Sequence, residues 1–286
     1  MPSLFNLYEL GYYFFIYSFL GWLMESTMNT LRQKAFINRG FLIGPYCPIY
    51  GVGMCGIYLC CFPIRDHLLF VFLSGMFLAT LLEYLTGTLM EKLFHAKWWD
   101  YSRFKYNLHG QICLHISLAW GLLSLIFIAY IHPIIITGVR QLPKSLGSII
   151  LFILCCIFLM DFIYSIYTIF HFTSKFPALS AVRLEMIALL EQSKFYEVAE
   201  EFKTRFELRK VPSKITSIID SLKEHLPQGT DFAKAQLHEL LSNKLNKYHA
   251  QFDKLSVSEK RLLKAFPTLS LTSIKTLKNK FRKRDE

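Results

Sequence analysis

Residues 38–53 read NRGFLIGPYCPIYGVG, one arginine, two prolines and four glycines at the mouth of a long apolar run. A soluble core helix would not tolerate that density of helix breakers, and a simple membrane anchor would not need it. The composition fits the broken start of a transmembrane helix, in which Gly44, Pro45 and Pro48 interrupt helical bonding. Non-helical backbone survives at membrane depth only where it is buried in protein or lines a wet cavity. The stretch therefore predicts freed N–H groups turned into a bundle, with partial positive charge that suits an anion or the carboxylates of neighbouring spans. The structural alternative is a re-entrant turn with its prolines in the first helical turn.

Working outward, apolar stretches near 8–31, 43–64, 67–90, 112–136 and 147–171 approach the roughly 20 residues that a bilayer-crossing helix requires. The 286 residues hold 53% hydrophobic and 16% aromatic side chains but only 19% charged ones, which excludes an ordinary soluble protein. No lysine or arginine precedes the first stretch and no small-residue cleavage site follows it, so it reads as a retained span and not a signal peptide. Arg32, Lys34 and Arg39 follow the first span and Lys92, Lys97, Arg103 and Lys105 the third, whereas the alternate loops carry only Arg65 and then Arg140 with Lys144. The positive-inside rule then puts the N-terminus outside and the C-terminal tail in the cytoplasm. The expected fold is all-α: a polytopic helix bundle of about five spans over residues 1–172 in the cell membrane, with a helical, basic cytoplasmic tail over 173–286.

Three acids fall inside the spans, Glu25, Glu83 and Asp161, each costing about 2.5 to 3.5 kcal/mol at a helix centre. Gly75, Ala79 and Gly87 recur at four-residue steps on the face that carries Glu83, so that face meets protein. Ser18, Gly21, Glu25, Asn29 and Arg32 draw a polar stripe along the first span. With the orientation above, the acids lie in the inner half, roughly 6 to 15 Å deep at a 1.5 Å rise per residue, where they could meet. Glu25 and Glu83 read equally well as a charge site and as structural acids; Asp161, beside Tyr164, Ser165 and Thr168, reads better as structural.

The connector EKLFHAKWWDYSRFKYNLHGQICL, residues 91–114, supplies an aromatic belt in Trp98, Trp99 and Tyr101. Asp100 and Arg103 are close enough in sequence to pair with each other or to reach Arg39 and Glu83. His95, Asp100, His109 and His115 match no metal-ligand spacing, and the seven cysteines, all in the apolar half, read as small buried hydrophobes. No cofactor or metal is expected.

In this order and spacing, RGFLIGPYCPIYGVG, LLEYLTGTLMEKLFHAKWWDYS and NLHGQICLHISLAWGLL resemble the bacterial membrane family called ABC-transporter type IV, or CmpB-like, over roughly residues 10–140. Glu25, Arg39, Gly40, Gly44, Pro45, Pro48, Gly51, Glu83, Gly87, Trp99, Asp100, Tyr101, Ser102, Asn107 and Gly110 sit at positions characteristic of that motif. The EYLTG and WWDYS portion is similar also to small animal multispan proteins of unknown function. The resemblance implies a permease in a bacterial plasma membrane, working with an ATPase on another chain or as a homo-oligomer. This chain has no nucleotide site of its own: GVRQLPKS, the nearest approach to a phosphate-binding loop, has Pro143 where the last glycine belongs.

The tail is punctuated by Pro212, Pro227 with Gly229, and Pro267, with amphipathic helices expected near 178–210 and 230–255 and a capping box from Ser256 to Glu259. Lys275, Lys278, Lys280, Arg282, Lys283 and Arg284 form a basic cluster suited to anionic lipid headgroups at about 1 kcal/mol each. Nucleic acid is not an expected partner, since no reader motif is present. Three function classes follow: a transporter-like protein binding a small solute or ion beside Glu25, Arg39, Gly44, Pro45, Pro48, Glu83, Asp100, Arg103, Asn107 and Asp161; an intramembrane lipid-modifying enzyme, which lacks a recognised catalytic motif; and a non-catalytic scaffold or sensor.

Overall fold

Apolar runs of this length fold as helices because a membrane offers the backbone no hydrogen bonds but its own. In a computed structural model, residues 6–94, 96–192, 231–266 and 270–271 are described. Helix α1 spans Leu7–Gln33, opened by the Asn6 side chain accepting from the Tyr8 N–H at 3.2 Å and closed by Lys34 in the left-handed region. Helix α2 runs Pro48–Cys61 with Pro48 in its first turn, and a 3-10 turn, Phe62–Ile64, extends it. Helix α3 is Leu68–Phe94. Helix α4, Leu114–Ile126, passes through a π-helical turn, Phe127–Ile131, into α5, His132–Gln141. Helix α6, Lys144–Gln192, carries Pro177 in its interior.

The expected all-α bundle forms, and the protein is a membrane protein. Leu68–Phe94, Leu114–Gln141 and Lys144–Leu179 are long and apolar enough to cross a bilayer, and Pro48–Ile64 is a shorter apolar helix. Helix α1 has the length, but Ser18, Glu25, Asn29 and Arg32 make it less apolar. The second helix starts at Pro48 and not near 43, since residues 34–47 are non-helical. Nor does α6 end near 171: one interior proline removes a single hydrogen bond, and the helix continues past it to Gln192.

The chain divides into two compact units, Met1–Tyr167 and Thr168–Glu286. In the first, α1 packs on α2, α2 on α3 and α3 on α4. Close approach depends on glycine: a Cβ at Gly51 would lie 2.6 Å from the Phe14 carbonyl oxygen, and one at Gly21 would lie 2.5 Å from the Cβ of Tyr50. The core joins Tyr12, Tyr13 and Tyr17 of α1 to Ile57 and Tyr58 of α2, Val71 of α3 and Phe127 of the π turn. Outward-facing side chains such as Phe70, Phe77, Leu81, Phe152 and Ile163 are exposed and apolar, as lipid contact demands.

In the second unit α7, Asp231–Asp253, and α8, Val257–Ala265, follow. The capping box read from the sequence forms, with Ser256 Oγ accepting from the Glu259 N–H and Glu259 accepting from the Ser256 N–H at 2.6 Å. Glu259, only 2% exposed, also accepts from Lys175 Nζ at 3.0 Å. Burial alone would raise its pKa, but the Ser256 N–H and the Lys175 ammonium outweigh that and hold the carboxyl below its ordinary value. The 178–210 helix overlaps α6 as far as Gln192; its remainder, and the basic cluster at 275–284, lie outside the described residues.

Candidate functional site

The broken stretch is held by its own side chains and by α1. Asn38 Oδ1 accepts from Trp22 Nε1 at 2.8 Å and from the Gly40 N–H at 3.0 Å, while its Nδ2 donates to the Ile43 carbonyl at 2.7 Å. The Arg39 N–H donates to Ser26 Oγ at 3.2 Å and the Ile37 N–H to Thr30 Oγ1 at 3.1 Å. Around Pro45 the chain makes a three-residue turn, Tyr46 N–H to the Gly44 carbonyl at 2.8 Å, and the Cys47 N–H returns to the Ser18 carbonyl at 2.9 Å.

The freed N–H groups do meet a carboxylate, but it comes from α6 and not from the first or third span. Asp161 accepts from the Gly44 N–H at 2.7 Å, the Ile43 N–H at 3.1 Å and the Ser165 hydroxyl at 3.0 Å. Asp161 therefore does not join the other acids. Its charge is spent on the turn, where two adjacent amides form a ready anion site.

Glu25 and Glu83 do come together, through aromatic residues. Glu25 Oε1 accepts from the Tyr50 hydroxyl at 2.7 Å, and Arg39 Nε lies 3.8 Å from Oε2. Glu83 is 8% exposed, and its two oxygens accept from the Tyr101 hydroxyl at 3.0 Å and Trp120 Nε1 at 3.1 Å. Tyr50 and Trp120 meet edge to face at 5.8 Å, closing the chain Arg39–Glu25–Tyr50–Trp120–Glu83–Tyr101. Burial, followed by the Glu83 charge, raises the Tyr101 phenol well above its usual pKa, so it remains a donor. Among the described residues, one cation, Arg39, thus stands against two carboxylates.

The connector builds the support for Tyr101. Its chain folds into a short hairpin pairing Asn107–Leu108 with Ile112–Cys113, turned by His109 and Gly110 at φ 53° and 72°. Asp100 Oδ1 accepts from the Ser102 N–H at 2.9 Å and bonds the Ser102 hydroxyl. Asn107 donates to the Phe104 carbonyl at 2.7 Å and accepts from the Gly110 N–H at 3.1 Å, and the Tyr101 N–H reaches the Gly110 carbonyl at 2.7 Å. Asp100 and Asn107 are thus turn-builders beneath Tyr101. Arg103 is exposed and, among the described residues, pairs with none of the acids, because the turn from Tyr101 to Phe104 carries it outward. Gln111 ties the hairpin to α3, accepting from Thr88 at 2.9 Å and donating to Glu91 at 2.9 Å. No group of three His, Cys, Asp or Glu side chains converges as metal ligands would, among the described residues.

Residues 12–166, more than half of the chain, match the family model described as "Putative ABC-transporter type IV". The chain belongs to that family. The type IV match runs from Tyr12 in α1 into the first half of α6, past the stretch carried by the motifs, and takes in both the acid pair and Asp161. No curated protein and no solved structure matches the chain. Sequence reasoning missed Tyr50 and Trp120, whose place beside the acids depends on which helix faces which. It also missed His132, wholly buried in the apolar core. A histidine next to a proline inside an apolar run, IHPI, was the available signal.

Proposed function

We propose that this protein is the multi-pass membrane subunit of an ABC-type transport system, with the Glu25–Glu83 pair as the site for a small cation or proton. The observation that carries this reading is the pairing of Glu83. Both of its oxygens are held by neutral side-chain donors, Tyr101 and Trp120, and neither by a cation. A buried carboxylate without a counter-charge is costly unless it takes up a proton or cation in its working cycle. Arg39 lies within ion-pair distance of Glu25, and among the described residues no cation lies as near Glu83. Partners under this reading are lipid, an ATPase on a separate chain or a second copy, and anionic headgroups at the basic C-terminal cluster. The N-terminus lies outside and the tail inside, in a bacterial plasma membrane.

The test is ligand-dependent stability of the purified full chain in detergent. Melting is followed against pH and against sodium, potassium, magnesium and tetramethylammonium chlorides. At least one of these, or acidification, should raise the melting temperature of the native protein but not of Glu83→Gln or Glu25→Gln. Native and variant curves that coincide under every condition would remove the charge site. Retention of an ATPase chain on gentle extraction tests the ABC assignment independently.

A further inference from the structure

We infer that a proton path runs along α1 through the buried His132, linking the Glu9–Arg140 end of the bundle to the Glu25–Arg39 end; it rests on the charge site proposed above and names the proton as the ion that site exchanges. Helix α1 carries Glu9, Tyr13, Tyr17, Gly21 and Glu25 at every fourth residue, so each sits about one turn above the last, in a row that winds roughly 160° around the helix. From Glu9 to Glu25 that row covers about 24 Å at 1.5 Å per residue, most of a hydrocarbon core. Glu9 binds Arg140 at 3.1 Å and accepts from the Tyr13 hydroxyl at 3.2 Å. Next along the row, the Tyr17 hydroxyl lies 2.6 Å from His132 Nδ1. Ser18 Oγ is buried and unpartnered beyond it, and the Tyr50 ring lies over Gly21 with its hydroxyl on Glu25.

His132 is the decisive element. It is 0% exposed and packed among the rings of Tyr13, Tyr58, Phe62 and Phe127, yet its Nε2 has no hydrogen-bond partner. A histidine kept only for packing would not carry that desolvation cost, which a leucine or phenylalanine avoids. The ionisable groups around it are Glu9, Tyr13 and Tyr17 from α1, Cys55 and Tyr58 from α2, and Arg140 from α5. A π turn immediately before it, Phe127–Ile131, relieves the clash of Pro133 with the preceding turn and sets the ring into the core.

The transfer balances in protons. With Nδ1–H donated to Tyr17, the bare Nε2 takes up one proton delivered by water from the Glu9 end. The Nδ1 proton passes to the Tyr17 oxygen, and the Tyr17 hydroxyl proton moves on through Ser18, Tyr50 and intervening water to Glu25. One proton enters for each that leaves, and water-mediated exchange between the neutral tautomers resets the ring without net charge movement.

The experiment uses the full chain in phosphatidylethanolamine–phosphatidylglycerol vesicles containing a pH-sensitive dye, with a potassium–valinomycin potential, interior negative. Acidification should exceed that of protein-free vesicles, and both His132→Phe and Tyr17→Phe should slow it about tenfold or more, the usual scale for losing a proton-transfer group. Should His132→Phe fail to fold, Tyr17→Phe carries the test, since it keeps the ring and removes only the hydroxyl. Native flux no greater than in empty vesicles, or flux untouched by either variant, overturns the path. If melting temperature still responds to a cation through Glu83 in that case, the charge-site reading stands and only the path falls; if it does not, both fall.

Discussion

Asp161 and Glu83 are both acids inside apolar helices, and they are satisfied in opposite ways. Asp161 accepts two backbone N–H groups and one hydroxyl from its own helix; Glu83 accepts only side-chain donors, one from α4 and one from the connector. Backbone donors cannot turn away without rebuilding the loop, so Asp161 is held in place as an acceptor. A phenol and an indole can shift by rotamer changes, so the Glu83 contacts can be remade without rebuilding the backbone, as the proposed charge site requires. The contrast separates an acid tied to the main chain from one tied only to side chains.

Amide substitution should widen that contrast most. In Asp161→Asn the new amide group must face one of the N–H donors of Ile43 or Gly44, leaving that donor unmet at membrane depth, where water does not replace the lost acceptor. A loss of about 3 kcal/mol is expected, read by chemical or thermal unfolding in detergent. If Asp161→Asn were as stable as the native protein, the structural role assigned to Asp161 would be wrong. Next in size is Gly51→Val, which forces α1 and α2 apart against the Phe14 carbonyl and should cost about 1 to 3 kcal/mol in the same measurement. Glu83→Gln should cost under about 1 kcal/mol. Its Oε1 can accept from Trp120 while its amide donates to the Tyr101 oxygen, so both neighbours keep a partner as the charge disappears. A large destabilisation there would place Glu83 beside Asp161 as a structural acid.

The smallest effect lies in the second unit. The Glu259 carboxyl is held below its ordinary pKa, so the stability it contributes is complete above the unfolded-state value of about 4.3 and is lost as pH falls through the depressed folded value. Glu259→Gln should therefore flatten the acid limb of the stability profile below that value. A limb of unchanged slope would mean that the Lys175 contact contributes nothing measurable.

Comparison of these acids also explains what the sequence could reveal. Apolar length made the helical bundle legible, and the four-residue spacing of Gly75, Ala79 and Gly87 correctly turned the Glu83 face toward protein: a Cβ at Gly87 would meet Gln111 Oε1 at 2.9 Å. Ser256 and Glu259 revealed their capping box because both partners lie within one helical turn. The partners of Asp161 were not visible, since Gly44 is 117 residues away. Distance in sequence likewise hid the Trp120–Glu83 contact, 37 residues apart, and Tyr17–His132, 115 apart. On spacing alone Asp100 and Arg103 could pair with each other or reach Arg39 and Glu83; the left-handed residues at 109 and 110 let the chain turn there, so Asp100 serves the turn while Arg103 faces outward.

The π turn before His132 has a consequence for insertions and deletions. Such a turn accommodates one residue more than the surrounding α-helix would hold. Removing a single residue from 127–131 would let the segment rewind as regular helix with both flanks close to their present register, whereas the same deletion in a neighbouring α-helical turn would swing everything beyond it by about 100° around the axis. A codon deleted from the regular turns of α4 would therefore take His132 from the ring of tyrosines and Arg140 from Glu9 together, while one deleted from the π turn would leave both contacts within reach.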